Sequence, residues 1–91
     1  VKSRLDPEFR RLFAQLPQKI QERARAAYRR FIENPAHPSL SFKRVHPKFP
    51  LWSVRVTDNY RAVGVRKSAD EIIWFFIGTH AEYDRLLETF G

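Results

Sequence analysis

Apolar positions follow two rhythms along this chain. From Phe9 they recur as Phe9, Leu12, Phe13 and Leu16, the i, i+3, i+4, i+7 spacing of one helix face. Asp6-Pro7 stands just ahead, where Asp can cap and Pro is tolerated at the first helical position. Pro17 interrupts the pattern. A second helix is predicted over Gln18–Glu33, with Ile20, Ala24, Ala27, Tyr28, Phe31 and Ile32 as its apolar stripe, and Asn34-Pro35 stops it. The first third therefore reads as a helical hairpin. Arg10, Arg11, Arg23, Arg25, Arg29 and Arg30 lie away from or flank its apolar face.

After a "PAHPS" loop the rhythm shortens. Four strand-like runs follow: Leu40–Val45, Leu51–Thr57, Tyr60–Lys67 and Glu71–Ile77. The breaks between them, "HPKFP", "DN" and "SAD", are turn chemistry. Links this short force antiparallel neighbours, because parallel pairing needs a long crossover. The run "IIWFFI" is apolar on both faces and is expected to be the most buried strand. "THAE" then fits a capping box, with Thr79 as the cap and Glu82 as the third helical residue. Tyr83, Leu86, Leu87 and Phe90 continue at helical spacing. The predicted fold is α+β: an N-terminal helical hairpin packed on a four-stranded antiparallel sheet, closed by a short C-terminal helix. With 91 residues, the chain is expected to be a single domain spanning 1–91.

Charge changes the picture more than any other property of the composition. The net charge is +7, and Arg outnumbers Lys twelve to five. Residues 1–34 carry nine basic and four acidic groups (+5), residues 35–69 seven and one (+6), and residues 70–91 one and five (−4). Such an excess suits a polyanionic partner, since neutralising phosphates releases counterions. Arginine suits bidentate phosphate contacts. The competing reading is a solvated surface that keeps a small protein soluble. There is no cysteine, which excludes a disulfide framework and a thiolate zinc site. No apolar run approaches the ~20 residues of a membrane helix, and no signal peptide is visible. A cytoplasmic location is expected. The chain opens on Val rather than Met, which leaves room for a natural start upstream.

The candidate chemistry centres on "LWSVRVTDNYRAVGV". A bulge or odd-numbered loop between its two strands would pair Arg55 with Arg61, Trp52 with Gly64 and Val54 with Ala62, so that large residues meet small ones. Trp52, Val54, Val56, Tyr60 and Ala62 would share one face, and Ser53, Arg55, Thr57 and Arg61 the other. Two arginines side by side repel unless an anion sits between them. A phosphate is one candidate; carboxylate partners such as Asp58 or Glu82 are the other. His80 falls at the end of the following strand, in the first turn of the last helix. The positive helix end disfavours imidazolium there, so a neutral ring able to accept a proton is expected. An ordinary surface turn is the plainer reading of the same residue. Tyr83, one turn on, is either an apolar anchor or a hydroxyl aimed at the same place. Lys43, Arg44 and Lys48 form a basic cluster, and at least one of Lys43 and Arg44 should share the arginine face. His37 and His46 are too scattered for a metal site, and neither a metal nor a cofactor is expected. No Gly-rich phosphate loop and no serine or cysteine triad is present.

The order of parts resembles the RelE/ParE superfamily of bacterial toxins from toxin–antitoxin pairs. The layout agrees over nearly the whole chain. The specific residues lie in 51–87: the R-V-x-x-x-Y-R hairpin, an apolar strand, then Gly-x-His. RelE-like members are ribosome-dependent endoribonucleases that cut mRNA without a metal. The resemblance implies catalytic roles for Arg61, Arg55, His80 and Tyr83, and RNA contacts for Lys43, Arg44 and Lys48. It implies an antitoxin, mRNA and the ribosome as partners. ParE-like members share the scaffold but poison DNA gyrase, so that activity and an inert RNA- or antitoxin-binding domain are the alternatives. RelE-like members usually open on a strand, for which "VKSRL" is short.

Overall fold

A computed structural model describes residues 1–91. The helical hairpin forms where the spacing places it. Helix α1 spans Pro7–Ala14 and α2 spans Gln18–Glu33. Asp6 caps α1 by accepting the Glu8 N–H at 3.0 Å, which satisfies one of the helix's orphan donors. Gln21 joins the two helices. Its side-chain amide donates to the Phe13 carbonyl at 3.1 Å and the Leu16 carbonyl at 3.2 Å.

The sheet has five strands, not four, and it is mixed rather than wholly antiparallel. Strand β1 is Lys2–Leu5, β2 Lys43–Arg44, β3 Leu51–Thr57, β4 Tyr60–Ser68 and β5 Glu71–Thr79. Their spatial order is β1-β5-β4-β3-β2. β1 pairs in parallel with β5 along the sheet edge, and the helical hairpin together with strands β2 to β4 forms the long connection that parallel pairing requires. The Ser3 hydroxyl holds β1 in place by accepting Trp74 Nε1–H at 2.9 Å and Tyr28 O–H at 3.0 Å. The run predicted as a strand over Leu40–Val45 shrinks to two residues. A 3-10 turn takes Pro38–Leu40, and Ser41 follows in the left-handed region at φ 48°. The opening Pro fixes the backbone for that turn, and the side chain of His37 accepts the Ser39 N–H at 3.2 Å.

Two cores cover the two faces of the sheet. The α1–α2 face packs Ala24, Ala27 and Phe31 against Val54, Ala62, Trp74 and Ile77. Phe31 meets the rings of Trp74 and Phe42 edge-on, at 5.3 and 5.0 Å between centroids, an arrangement that suits ring quadrupoles. The opposite face packs Leu51 and Val63 under Tyr83, Leu86 and Leu87 of helix α3, His80–Thr89, and under Phe90, which caps its end. As its composition requires, β5 serves both: Ile72, Trp74 and Ile77 join the first core, Phe75 and Phe76 the second. A register shift opposite Val63–Gly64 makes this possible, since an extra residue changes which face the following side chains meet.

Candidate functional site

The β3–β4 ladder pairs Arg55 with Arg61, Val54 with Ala62 and Trp52 with Gly64, and its register shifts between Arg55 and Thr57. That is the register in which large residues meet small ones. Gly64 is required where it stands: a Cβ there would come within 2.8 Å of Ile72 Cγ1 and 3.0 Å of the Ile73 carbonyl oxygen. Side-chain alternation along β3 then sends Ser53 and Arg55 to the α3 face of the sheet.

Helix α3 brings the other half of the site. Thr79 caps it through a complete capping box with Glu82, which satisfies two orphan amides reciprocally. The next amide, that of His80, donates to the carbonyl of Asn59 in the β3–β4 turn at 2.7 Å. The helix start is therefore bonded directly to the arginine hairpin.

Between these parts lies a polar cavity of about 100 Å³. Arg55, Arg61, His80 and Tyr83 line it, with Lys43, Ser53 and Ser41 completing the wall. At roughly 30 Å³ per water, such a space admits one small anionic group and not a sugar with its base. Its wall carries three cationic side chains and no carboxylate.

The members differ in how firmly they are held. Arg61 is fixed: Nη1 donates to the carbonyls of Thr57 at 2.6 Å, Tyr60 at 3.0 Å and Asp58 at 3.2 Å. Arg55 is exposed and makes no hydrogen bond or ion pair within the protein. The carboxylate partners considered for the two arginines are absent, since Glu82 serves the helix cap and Asp58 forms no ion pair. His80 Nδ1 lies 3.2 Å from Asp84 Oδ2. A carboxylate only accepts, so this pairing makes Nδ1 the donor, and in the neutral ring the lone pair then lies on Nε2. Tyr83 is buried in the second core, meets His80 edge-on at 5.5 Å between ring centroids, and still lines the cavity. It serves as an anchor and also reaches the site.

The remaining basic residues separate. Lys43, opposite Ser53, faces the cavity. Arg44, opposite Trp52, does not; its guanidinium donates to the His46 carbonyl at 2.9 Å. Lys48 is exposed in the loop after β2, outside the cavity. Sequence reasoning missed Ser41 and Asp84. The i, i+4 spacing of His80 and Asp84 on a helix was a usable signal for the second; a left-handed serine has none.

A family model described as a ParE-like toxin domain matches residues 18–85. Among solved structures, the chain is similar to the RelB-RelE antitoxin-toxin complex from Methanococcus jannaschii, with 17% identity and a TM-score of 0.70 over 90% of this chain and 96% of that one. It is similar to YafQ from E. coli, with 12% identity and a TM-score of 0.69 over 90% and 96%. It is also similar to a YoeB/ParE toxin from Agrobacterium tumefaciens, with 13% identity and a TM-score of 0.68 over 88% and 99%. No curated protein matches the sequence. Identities this low carry the fold and leave the activity to the site. The fold and the family match agree, and the chain belongs to the ParE-like toxin domain family.

Proposed function

We propose that this toxin is a metal-independent, ribosome-dependent mRNA endonuclease. The observation that supports this reading is the convergence of Arg55, Arg61, Lys43 and His80 on one cavity sized for a phosphate. In the proposed reaction the 2′-OH attacks the adjacent phosphodiester. The O2′–P bond forms and the P–O5′ bond breaks, leaving a 2′,3′-cyclic phosphate and a 5′-OH. Nε2 of His80 takes the 2′-OH proton, and Asp84 holds the ring for it through Nδ1. The Tyr83 hydroxyl, which makes no hydrogen bond within the protein, is the group suited to protonating the 5′-oxygen. Arg55, Arg61 and Lys43 stabilise the charge that develops on the phosphate oxygens, as fixed donors do in acyl and phosphoryl transfer. Arg44 and Lys48 lie outside the cavity, where binding to RNA would add affinity without chemistry.

The expected protein partner is an antitoxin. The similar Methanococcus structure is itself a RelB-RelE complex, and the +7 charge favours an acidic segment.

The family match, to a ParE-like domain, favours one rival, inhibition of DNA gyrase. Adding purified protein to a translation reaction and, separately, to gyrase with plasmid DNA decides between them. Codon-aligned mRNA cuts with 2′,3′-cyclic phosphate ends are expected. Linear cleavage-complex DNA with intact mRNA would establish the rival, and neither product would leave an inert binding domain.

A further inference from the structure

Arg55 borders two spaces. One is the catalytic cavity. The other is a larger groove of about 610 Å³ between α2 and the β3–β4 turn. Arg23 and Arg30 project into it from α2, and Ser39 from the 3-10 turn. Ser39 accepts a hydrogen bond from Arg30 Nη1 at 3.3 Å. No carboxylate pairs with Arg23, Arg30 or Arg55; the ion pairs of the protein join Val1 to Asp70, Arg4 to Glu71, Arg11 to Glu8 and His80 to Asp84. Asp58 is the only acidic residue on the groove wall, and its carboxylate makes no ion pair. Three guanidinium groups from two elements thus surround one space with a single carboxylate, itself unpaired, on its wall, an excess of positive charge that an anion relieves.

We infer that this groove is a second phosphate-binding section, which receives the backbone of single-stranded RNA next to the phosphate held in the cavity. The inference rests on the nuclease reading for the direction of the strand past Arg55. The character of the wall selects a nucleic-acid backbone over a protein segment. Only Ala26 and Val56 are apolar there, so an amphipathic helix would find no floor on which to lay its apolar face. The groove between α1 and α2 differs in this respect, because Phe9, Phe13 and Tyr28 line it. Interactions with the backbone position a strand without reading its bases.

The test uses a fluorescent single-stranded RNA that carries 2′-O-methyl groups throughout, so binding is read without cleavage. Anisotropy titrations over a range of salt concentrations give the slope of log K against log salt. Arg23→Gln/Arg30→Gln is expected to weaken binding about tenfold and to lower the slope by about 1.4, at ~0.7 for each single-strand phosphate that is no longer neutralised. Arg10→Gln/Arg29→Gln removes the same charge from the other groove, and its slope is expected to match the wild type. Both pairs are exposed helix positions, and circular dichroism checks the fold. Equal slopes for the two double variants would overturn the inference, leaving only net charge. So would loss of binding to a polyglutamate peptide with RNA binding unchanged, which would assign the groove to an acidic polypeptide. If the groove variant lowers the slope while no mRNA is cut on the ribosome, the nuclease reading falls and the groove stands. If mRNA is cut and the slope does not move, the groove falls alone.

Discussion

Arg55 and Arg61 face each other across the β3–β4 ladder, yet only Arg61 is tied to the backbone, through the carbonyls of Thr57, Asp58 and Tyr60. The two should therefore separate experimentally. Arg55→Ala is expected to lower cleavage by about 10²–10³-fold, the loss typical of removing one donor to the developing charge, with the urea midpoint unmoved. Arg61→Ala should lower cleavage comparably and also destabilise the fold by about 1 kcal/mol, because the turn loses its donor. Equal stability for the two variants would show that Arg61 does not hold the turn.

His80 and Asp84 form the second pair. His80→Ala is expected to cut the rate by about 10²–10⁴-fold, the range for a general base. Asp84→Asn should cost less. It acts by positioning the ring, so it should lower kcat while leaving substrate affinity unchanged. A variant that changes KM alone would assign Asp84 to binding instead.

His46 is the one buried histidine, and its work is structural. Nδ1 accepts the N–H groups of both Lys48 and Phe49 at 3.1 Å, and its ring lies 5.0 Å from that of Phe49 and 6.3 Å from that of Phe90. Accepting twice fixes the ring proton on Nε2, which has no partner. His46→Ala should destabilise the protein by about 2 kcal/mol, through lost packing and two released amides. His46→Asn offers an acceptor to the same amides and should cost less. Chemical denaturation measures both, and equal losses would mean that packing alone matters.

Ser3 joins β1 to both Trp74 and Tyr28. Ser3→Ala leaves the Trp74 indole N–H without its acceptor, in a residue 2% exposed. A loss of about 1–3 kcal/mol is expected. Hydrogen exchange should quicken in β1 and along β5 together; protection unchanged in β5 would show that the edge strand is dispensable.

Periodicity carried the elements with strong amphipathic or apolar patterns. Both helices of the hairpin, strands β3 to β5 and the capped final helix were legible, as was the Arg55–Arg61 register, because small residues lie opposite large ones. Strand β1 was not. "KSRL" is short and polar at an edge, and what places it is a hydroxyl meeting an indole seventy-one positions away, which no local pattern encodes. The run after Pro38 misled for the opposite reason: Leu40 is buried and Phe42 and Val45 pack against the cores, but Ser41 turns left-handed and breaks the strand. The site was legible as residue types on a face. Its closeness was not, since the bond from the His80 amide to the Asn59 carbonyl is tertiary.

The parallel pairing of β1 with β5 also sets an order of assembly. Strand β1 must wait for β5, with both helices and strands β2 to β4 lying between them in the chain. Arginines 55 and 61 precede His80 in the chain, so their hairpin leaves the synthetic machinery first. The domain thus gathers its positive charge early and its proton acceptor late, and the proposed chemistry waits for the last strand and helix to close the cavity.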